Sequence, residues 1–176
     1  IEKITQKPFI ASHSSVNKLC SHFRNLYDDQ LLAIKNKQGL VGINPYPFFI
    51  DPTFKEREAK VRNKYREKIK SLEIQNSKKS SQWLAKQHFF QKKLSSVCPD
   101  LNIFLDHIEY IIKLIGIDYV AVGSDYDGLD CLPKGWKDCA DHIKIAEKLE
   151  YRGYNQVEIE KVMGTNFLRV LEEINY

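Results

Sequence analysis

The chain has 176 residues, 43% of them hydrophobic and 28% charged, the composition of a soluble globular protein with room for one domain and a real core. No apolar run approaches the ~20 residues needed to span a bilayer, no secretory pattern opens the chain, and the four cysteines form no CxxC pair, so a zinc ribbon and a disulfide scaffold are both excluded. The net charge of +4 is unevenly held: residues 55–93 carry thirteen Lys/Arg against four Asp/Glu, a net +9, so the remainder carries −5.

In chain order, "PFIAS" at 8–12 predicts a short buried strand, followed by a polar connection over 13–25. "DDQLLAIKNKQG" predicts a helix with Asp28 and Asp29 in its first turn, Lys35 and Lys37 in its last, Leu31, Leu32 and Ile34 on its apolar side and Gly39 as its stop. "LVGIN" at 40–44 is a second buried strand. "PYPFFIDP" is expected to break all regular structure, because prolines lack donors. Residues 53–97 change texture. A basic helix with Val61, Tyr65, Ile69 and Leu72 in one stripe is interrupted at "NSKKSS" and resumes as "QWLAKQHFFQKKL", an excursion on the outside of the fold.

"NIFLDHIEYIIKLIG" places apolar residues at 104, 105, 108, 111, 112 and 115, a 3.6-residue period stopped by Gly116. "DYVAVGSD" follows as a third buried strand. Helices are expected near 138–152, 156–163 and 166–174, with Asn155 and Glu158 as a capping box for the middle one. Short apolar strands alternating with amphipathic helices predict an α/β fold with a parallel sheet, either doubly wound or a (β/α) barrel. No G-x-G-x-x-G follows a strand, which removes the simplest dinucleotide-binding case.

In either fold the site lies at the C-terminal ends of the strands. The first strand ends at His13 and the third runs into "GSDYDG", with Asp125 and Asp127. Imidazole and carboxylate on one face suit a zinc-type ion or proton movement. A histidine after a strand is equally at home as a hydrogen-bonded core residue, "DYDG" as a plain turn, and Arg24 as a surface cation. His22 and His107 read as loop and helix-surface residues without a role.

"PFIASHSS", "RNLYDDQLLAIKNKQGLVGIN", "LDHIEYIIKLIGIDYVAVGSDYDG" and "GTNFLRVLEEI" together resemble the C-terminal portion of the membrane (renal) dipeptidase family, zinc metallopeptidases on a (β/α) barrel. The resemblance covers most of the chain outside roughly residues 52–100. It implies a partial (β/α)8 TIM-type barrel with a basic helical insertion at 53–100, and His13 as a metal ligand. Arg24, eleven positions on, would bind the free carboxylate of a dipeptide. Asp125 would handle substrate and proton, with Asp127 and Gly128 shaping its turn. It implies two zinc ions sharing a hydroxide that attacks the peptide carbonyl.

The family's H-x-D pair, bridging glutamate and second histidine have no counterpart here, leaving His13 as one assigned ligand where a catalytic zinc takes three. With three strands where a barrel needs eight, and Met163 as the one methionine, the chain is expected to be a C-terminal fragment, inactive alone and prone to associate through exposed barrel edges. The expected substrate is a dipeptide, with no nucleic acid. The reduced, buried thiols point to a cytoplasmic setting. The alternatives are another barrel metallohydrolase of amidohydrolase type, which would leave Arg24 without a purpose, and a non-enzymatic binding module built on the basic helices.

Overall fold

The computed structural model describes residues 4–75, 79–126 and 128–175. Asp127, and the part of the "NSKKSS" interruption at 76–78, lie outside the described residues. Three strands form one parallel sheet in the order β1 (Ile10–Ala11), β2 (Leu40–Ile43), β3 (Val120–Val122). Ile10 pairs with Leu40, and Val41, Gly42 and Ile43 pair with Val120, Ala121 and Val122.

Side chains alternate across a strand, and the register divides the sheet cleanly. Val41, Ile43 and Val120 enter the main core. Leu40 and Ala121 pack with Val170, and Ile10 lies against them. Both faces are therefore buried, which is why these strands read as continuous apolar runs.

The helices in chain order are α1 (Asp28–Asn36), α2 (Pro47–Ile50), α3 (Phe54–Lys64), α4 (Arg66–Gln75), α5 (Lys79–Leu94), α6 (Leu101–Ile115), α7 (Ile143–Tyr151), α8 (Gln156–Glu160) and α9 (Asn166–Asn175). The heart of the core is α6. Phe104, Leu105, Ile108, Ile111 and Ile115 are buried as their spacing predicted. Asp100 caps its start by accepting the Asn102 N–H, and Gly116 ends it at φ 106°, a left-handed conformation that glycine takes without steric cost. The capping box of Asn155 and Glu158 is present at α8.

Several expectations change. "PYPFFIDP" is not wholly irregular, because Pro47–Ile50 makes one helical turn. Pro47 opens it at a position whose N–H has no helical partner, so its missing donor costs nothing. The basic stretch is not one helix: it breaks at Tyr65, where the backbone leaves helical geometry (φ −108°, ψ 17°). The predicted resumption begins earlier, at Lys79. The 156–163 helix ends at Glu160 and passes into a wider π-type turn over Lys161–Thr165.

Leu32 is not on the buried side of α1, being 43% exposed. Gly39 does not supply the left-handed stop either; Gln38 does, at φ 52°. Gly39 is needed for another reason: a Cβ there would lie 2.2 Å from the Phe9 carbonyl oxygen, so only glycine lets the chain enter β2 beside β1. His107 is not a surface residue. It is 1% exposed and takes the Val16 N–H on Nδ1 at 3.0 Å while Nε2 meets the Ile50 carbonyl at 3.1 Å. A carbonyl only accepts, so Nε2 carries the proton and the ring is neutral. Burial pushes its pKa down to about 4, against the opposing pull of the Ile50 carbonyl and of Asp106.

Helix α9 closes the sheet's lower end. Asn166, 3% exposed, donates to the carbonyls of Ile117 (2.7 Å) and Val120 (2.9 Å). Arg169 donates to the carbonyls of Gln38, Gly39 and Asp118. These bonds give the "GTNFLRV" stretch a structural purpose, and they occupy a carbonyl of β3 that an open edge would leave unpaired.

Candidate functional site

Both sequence-predicted strand ends lie at one end of the sheet. Ser14 N–H donates to the Gly42 carbonyl (2.9 Å), carrying the β1–β2 pairing past Ala11, and Gly123 N–H donates to the Ile43 carbonyl (2.9 Å) beyond β3. A Cβ on Gly42 or on Gly123 would lie 2.4 Å from the Ser12 carbonyl oxygen. Two glycines thus let the chain carrying His13 close over the ends of β2 and β3.

His13 and Arg24 meet directly: Arg24 Nη2 lies 2.9 Å from His13 Nε2. A guanidinium only donates, so Nε2 is the acceptor and Nδ1 carries the proton. That proton goes to Ser12 Oγ, 2.8 Å away. An imidazole with Nδ1–H engaged and its lone pair on Nε2 is the tautomer a metal ligand takes, although here Arg24 occupies that lone pair. Arg24 itself is exposed, and its backbone N–H donates to His22 Nδ1 at 3.2 Å. The His22 pKa is lowered, by burial first and by the neighbouring Arg24 second.

Asp125 sits at φ 49°, one of two non-glycine residues with positive φ among those described. Aspartate tolerates this conformation better than most residues, at roughly 1 kcal/mol. Its backbone carbonyl accepts the Gly128 N–H at 3.1 Å. A Cβ at Gly128 would come within 2.7 Å of Asp125 Oδ1, so Gly128 leaves the carboxylate its space.

Asn44, fully buried, fixes the other oxygen: its Nδ2 donates to Asp125 Oδ2 at 3.0 Å. Asn44 is held in turn, Oδ1 accepting the Tyr46 N–H (2.8 Å) and its carbonyl accepting Ser15 Oγ (2.8 Å). Ser15 N–H donates to Asn25 Oδ1, and Asn25 Nδ2 donates to the carbonyls of Cys20 and Phe49. A buried polar chain therefore runs from the neighbours of His13 and Arg24 to Asp125. Asn44 was missed as a candidate site residue, although its position, a polar residue directly after a buried strand, is the same signal that pointed to His13.

Among the described residues, no three His, Cys, Asp or Glu side chains cluster so as to hold a metal ion. His13 offers one nitrogen, and the described residues do not make up a metal centre by themselves. The arrangement can bind and orient: a guanidinium fork beside a neutral imidazole, and a carboxylate held by an amide, on one rim.

Comparison with known proteins identifies the family. Residues 1–176 match the sequence profile of the membrane dipeptidase family (peptidase family M19). Dipeptidase aclJ of Aspergillus oryzae is 30% identical over 173 residues, covering 98% of this chain and 31% of that protein. The probable dipeptidase PvdM of Pseudomonas aeruginosa superposes with a TM-score of 0.70 at 24% identity, covering 98% of this chain and 46% of that one. A Rhodobacter sphaeroides metallopeptidase, solved with a phosphinate mimic of the dipeptide L-Ala-D-Ala, superposes with a TM-score of 0.70 at 21% identity, covering 98% and 38%. The chain spans less than half the length of each of these relatives.

Proposed function

This chain belongs to the membrane dipeptidase family, and from that premise we propose that it forms the carboxylate-binding side of a metal-dependent dipeptidase site on a (β/α)8 barrel, with residues 53–100 as a helical insertion. The family implies a metal cofactor. Zinc, as two ions, is our reading, with His13 giving one ligand from this chain. Because the residues present do not complete a metal centre, the chain alone is inactive.

The roles follow from the side chains. Arg24 pairs its planar fork with the substrate's terminal carboxylate, a geometry lysine does not reproduce. This restricts cleavage to a peptide bond one residue from a free carboxylate, and recognition of the free amino group on the other side by Asp125 narrows the substrate to a dipeptide. Asp125, held by Asn44, accepts a hydrogen bond from the substrate's amino end and takes or returns the proton of the peptide nitrogen. His13, with Nδ1–H fixed on Ser12, keeps Nε2 directed at Arg24's side of the rim.

The observation that supports this reading is the 2.9 Å contact between Arg24 and His13: the residue proposed to receive the carboxylate lies beside the nitrogen proposed as a ligand, although eleven residues separate them. The test uses the product of the complete reading frame with added zinc. Dipeptide hydrolysis is expected, with Arg24→Ala raising KM about 100-fold or more at little cost in kcat, the loss expected for a charged hydrogen-bond pair. Equal activity on dipeptides and on their C-terminal amides would favour an amidohydrolase without a carboxylate receptor. Robust turnover by the 176-residue chain alone would overturn the claim that it lacks a working metal centre.

A further inference from the structure

We propose that Cys98 and Cys131 form a reversible dithiol–disulfide pair, oxidised by hydroperoxides, that staples the loop following Asp125 to the end of the α3–α5 arm. This goes beyond the dipeptidase reading and does not depend on it.

Both thiols are free and buried, at 0% and 5% exposure, and share one small apolar cluster with Phe54, Phe90 and Leu94. Their backbones are held side by side. Lys134 N–H donates to the Pro99 carbonyl at 2.8 Å, and Asp100 and Lys134 form a parallel bridge. Cys98 and Cys131 lie just before these two backbone contacts, inside the same apolar cluster, and the two thiols interact with each other. That interaction is the main cause holding the Cys98 pKa below its ordinary value, with Arg57 and Lys134 assisting against burial. The Cys131 thiol is pushed up by the same interaction and by burial.

Access is through Cys131, which lines two cavities of about 730 and 370 Å³ between α5 and the 126–139 loop. A water-sized oxidant fits this space. One thiol of the pair, as its thiolate, attacks one peroxide oxygen, the O–O bond breaks, and a sulfenic acid and hydroxide result. The sulfur of the second thiol then attacks the sulfenic sulfur, the S–O bond breaks, and water leaves with the second thiol's proton. Hydroxide recovers the proton that the first thiol had lost. Two thiols are oxidised by two electrons, and one peroxide is reduced to two waters.

The other two cysteines provide the controls. Cys20 is buried away from this pair, its pKa pushed up to about 11 by burial and by Asp51. Cys139 is exposed and lines the larger cavity with Cys131, so it is the competing partner. The chain is treated with a small excess of hydrogen peroxide, denatured, alkylated and mapped. Alkylatable thiols are expected to fall from four to two, with a Cys98–Cys131 link that dithiothreitol reverses. C98S and C131S should form no link, and C139S should form it as the parent does. Should C98S not fold, C20S/C139S retains the pair alone, and its titre should fall from two to zero. A Cys131–Cys139 link, sulfinic acid at Cys98 without a link, or a pair unchanged while Cys139 oxidises would overturn the proposal.

Discussion

The body around the sheet and the arm of α3–α5 are held by different means. Eighteen buried residues, from Val16 to Val162, form one contiguous cluster in the body, whereas five, Phe54, Phe90, Leu94, Cys98 and Cys131, anchor the arm among the described residues. One of those five belongs to the body's own loop. The arm offsets its thin core with charge. Asp51 and Glu58, 5% and 6% exposed, are met by Arg57 and Arg62, and Arg62 and Lys93 lie over aromatic rings of the arm. A region built this way opens locally, while the body unfolds as a unit.

The largest expected effect tests that contrast. Phe104→Ala empties a fully buried site packed edge-on against Trp136 and should cost about 3–5 kcal/mol, read as a lower urea midpoint for the whole chain. Phe90→Ala removes a ring of the same size from the arm. Its loss should speed amide exchange in α3 and α5 while α6 keeps its protection. Equal loss of protection in α6 would show that arm and body unfold together.

Next comes the body's dependence on pH. His107 is neutral in the folded chain with a pKa of about 4, against 6.5 unfolded. Between those values the unfolded chain binds more protons, so stability rises with pH. The contribution is complete above pH 6.5 and is lost as pH falls towards 4, a decline of about 3 kcal/mol. His107→Gln, which can still accept and donate, should flatten the stability profile across that window. A slope unchanged in the variant would assign the acid sensitivity elsewhere.

A smaller effect is expected at the rim. Asn44→Ala removes the donor to Asp125 and leaves the Tyr46 N–H without its acceptor, which should cost about 1–3 kcal/mol. Asn44→Asp keeps the shape but sets a second carboxylate against Asp125. Destabilisation by Asn44→Asp that grows as pH rises from 4 to 8 would confirm that the amide neutralises this contact.

How much of this could be read in the sequence differs by region in the same way. Helix α6 was legible because a 3.6-residue period over fifteen residues leaves little alternative. His107 was misread, yet it lies three residues after Phe104 and four before Ile111, and the spacing alone placed it inside. The shared strand-end placement of His13 and Asp125 was legible; that Arg24 reaches Nε2 of His13 was not, because the contact depends on the path of the 13–25 connection. Gly39 was assigned a turn it does not make, since close approach to Phe9 is a tertiary fact. In the arm, the count of charges was right and its meaning was not. Asp51 and Glu58 look like ordinary surface acids until packing removes them from water.

That last point yields the smallest and sharpest test. Among the described residues, two helical ion pairs of the arm have opposite character. Lys70 and Glu67 are 57% and 85% exposed, and Lys70→Ala should change stability by less than about 0.5 kcal/mol, because water already screens both charges. Arg62 and Glu58 differ in that Glu58 is only 8% exposed in its side chain. Arg62→Ala leaves that carboxylate in the arm without its partner, and should cost several times more than Lys70→Ala. Arg62→Ala with Glu58→Gln should recover part of the loss, since an amide needs no counter-charge. If the two single variants proved equal, the arm's basic surface would be a set of independent solvated charges, and its attachment to the body would rest on Phe54, Phe90 and Leu94 alone.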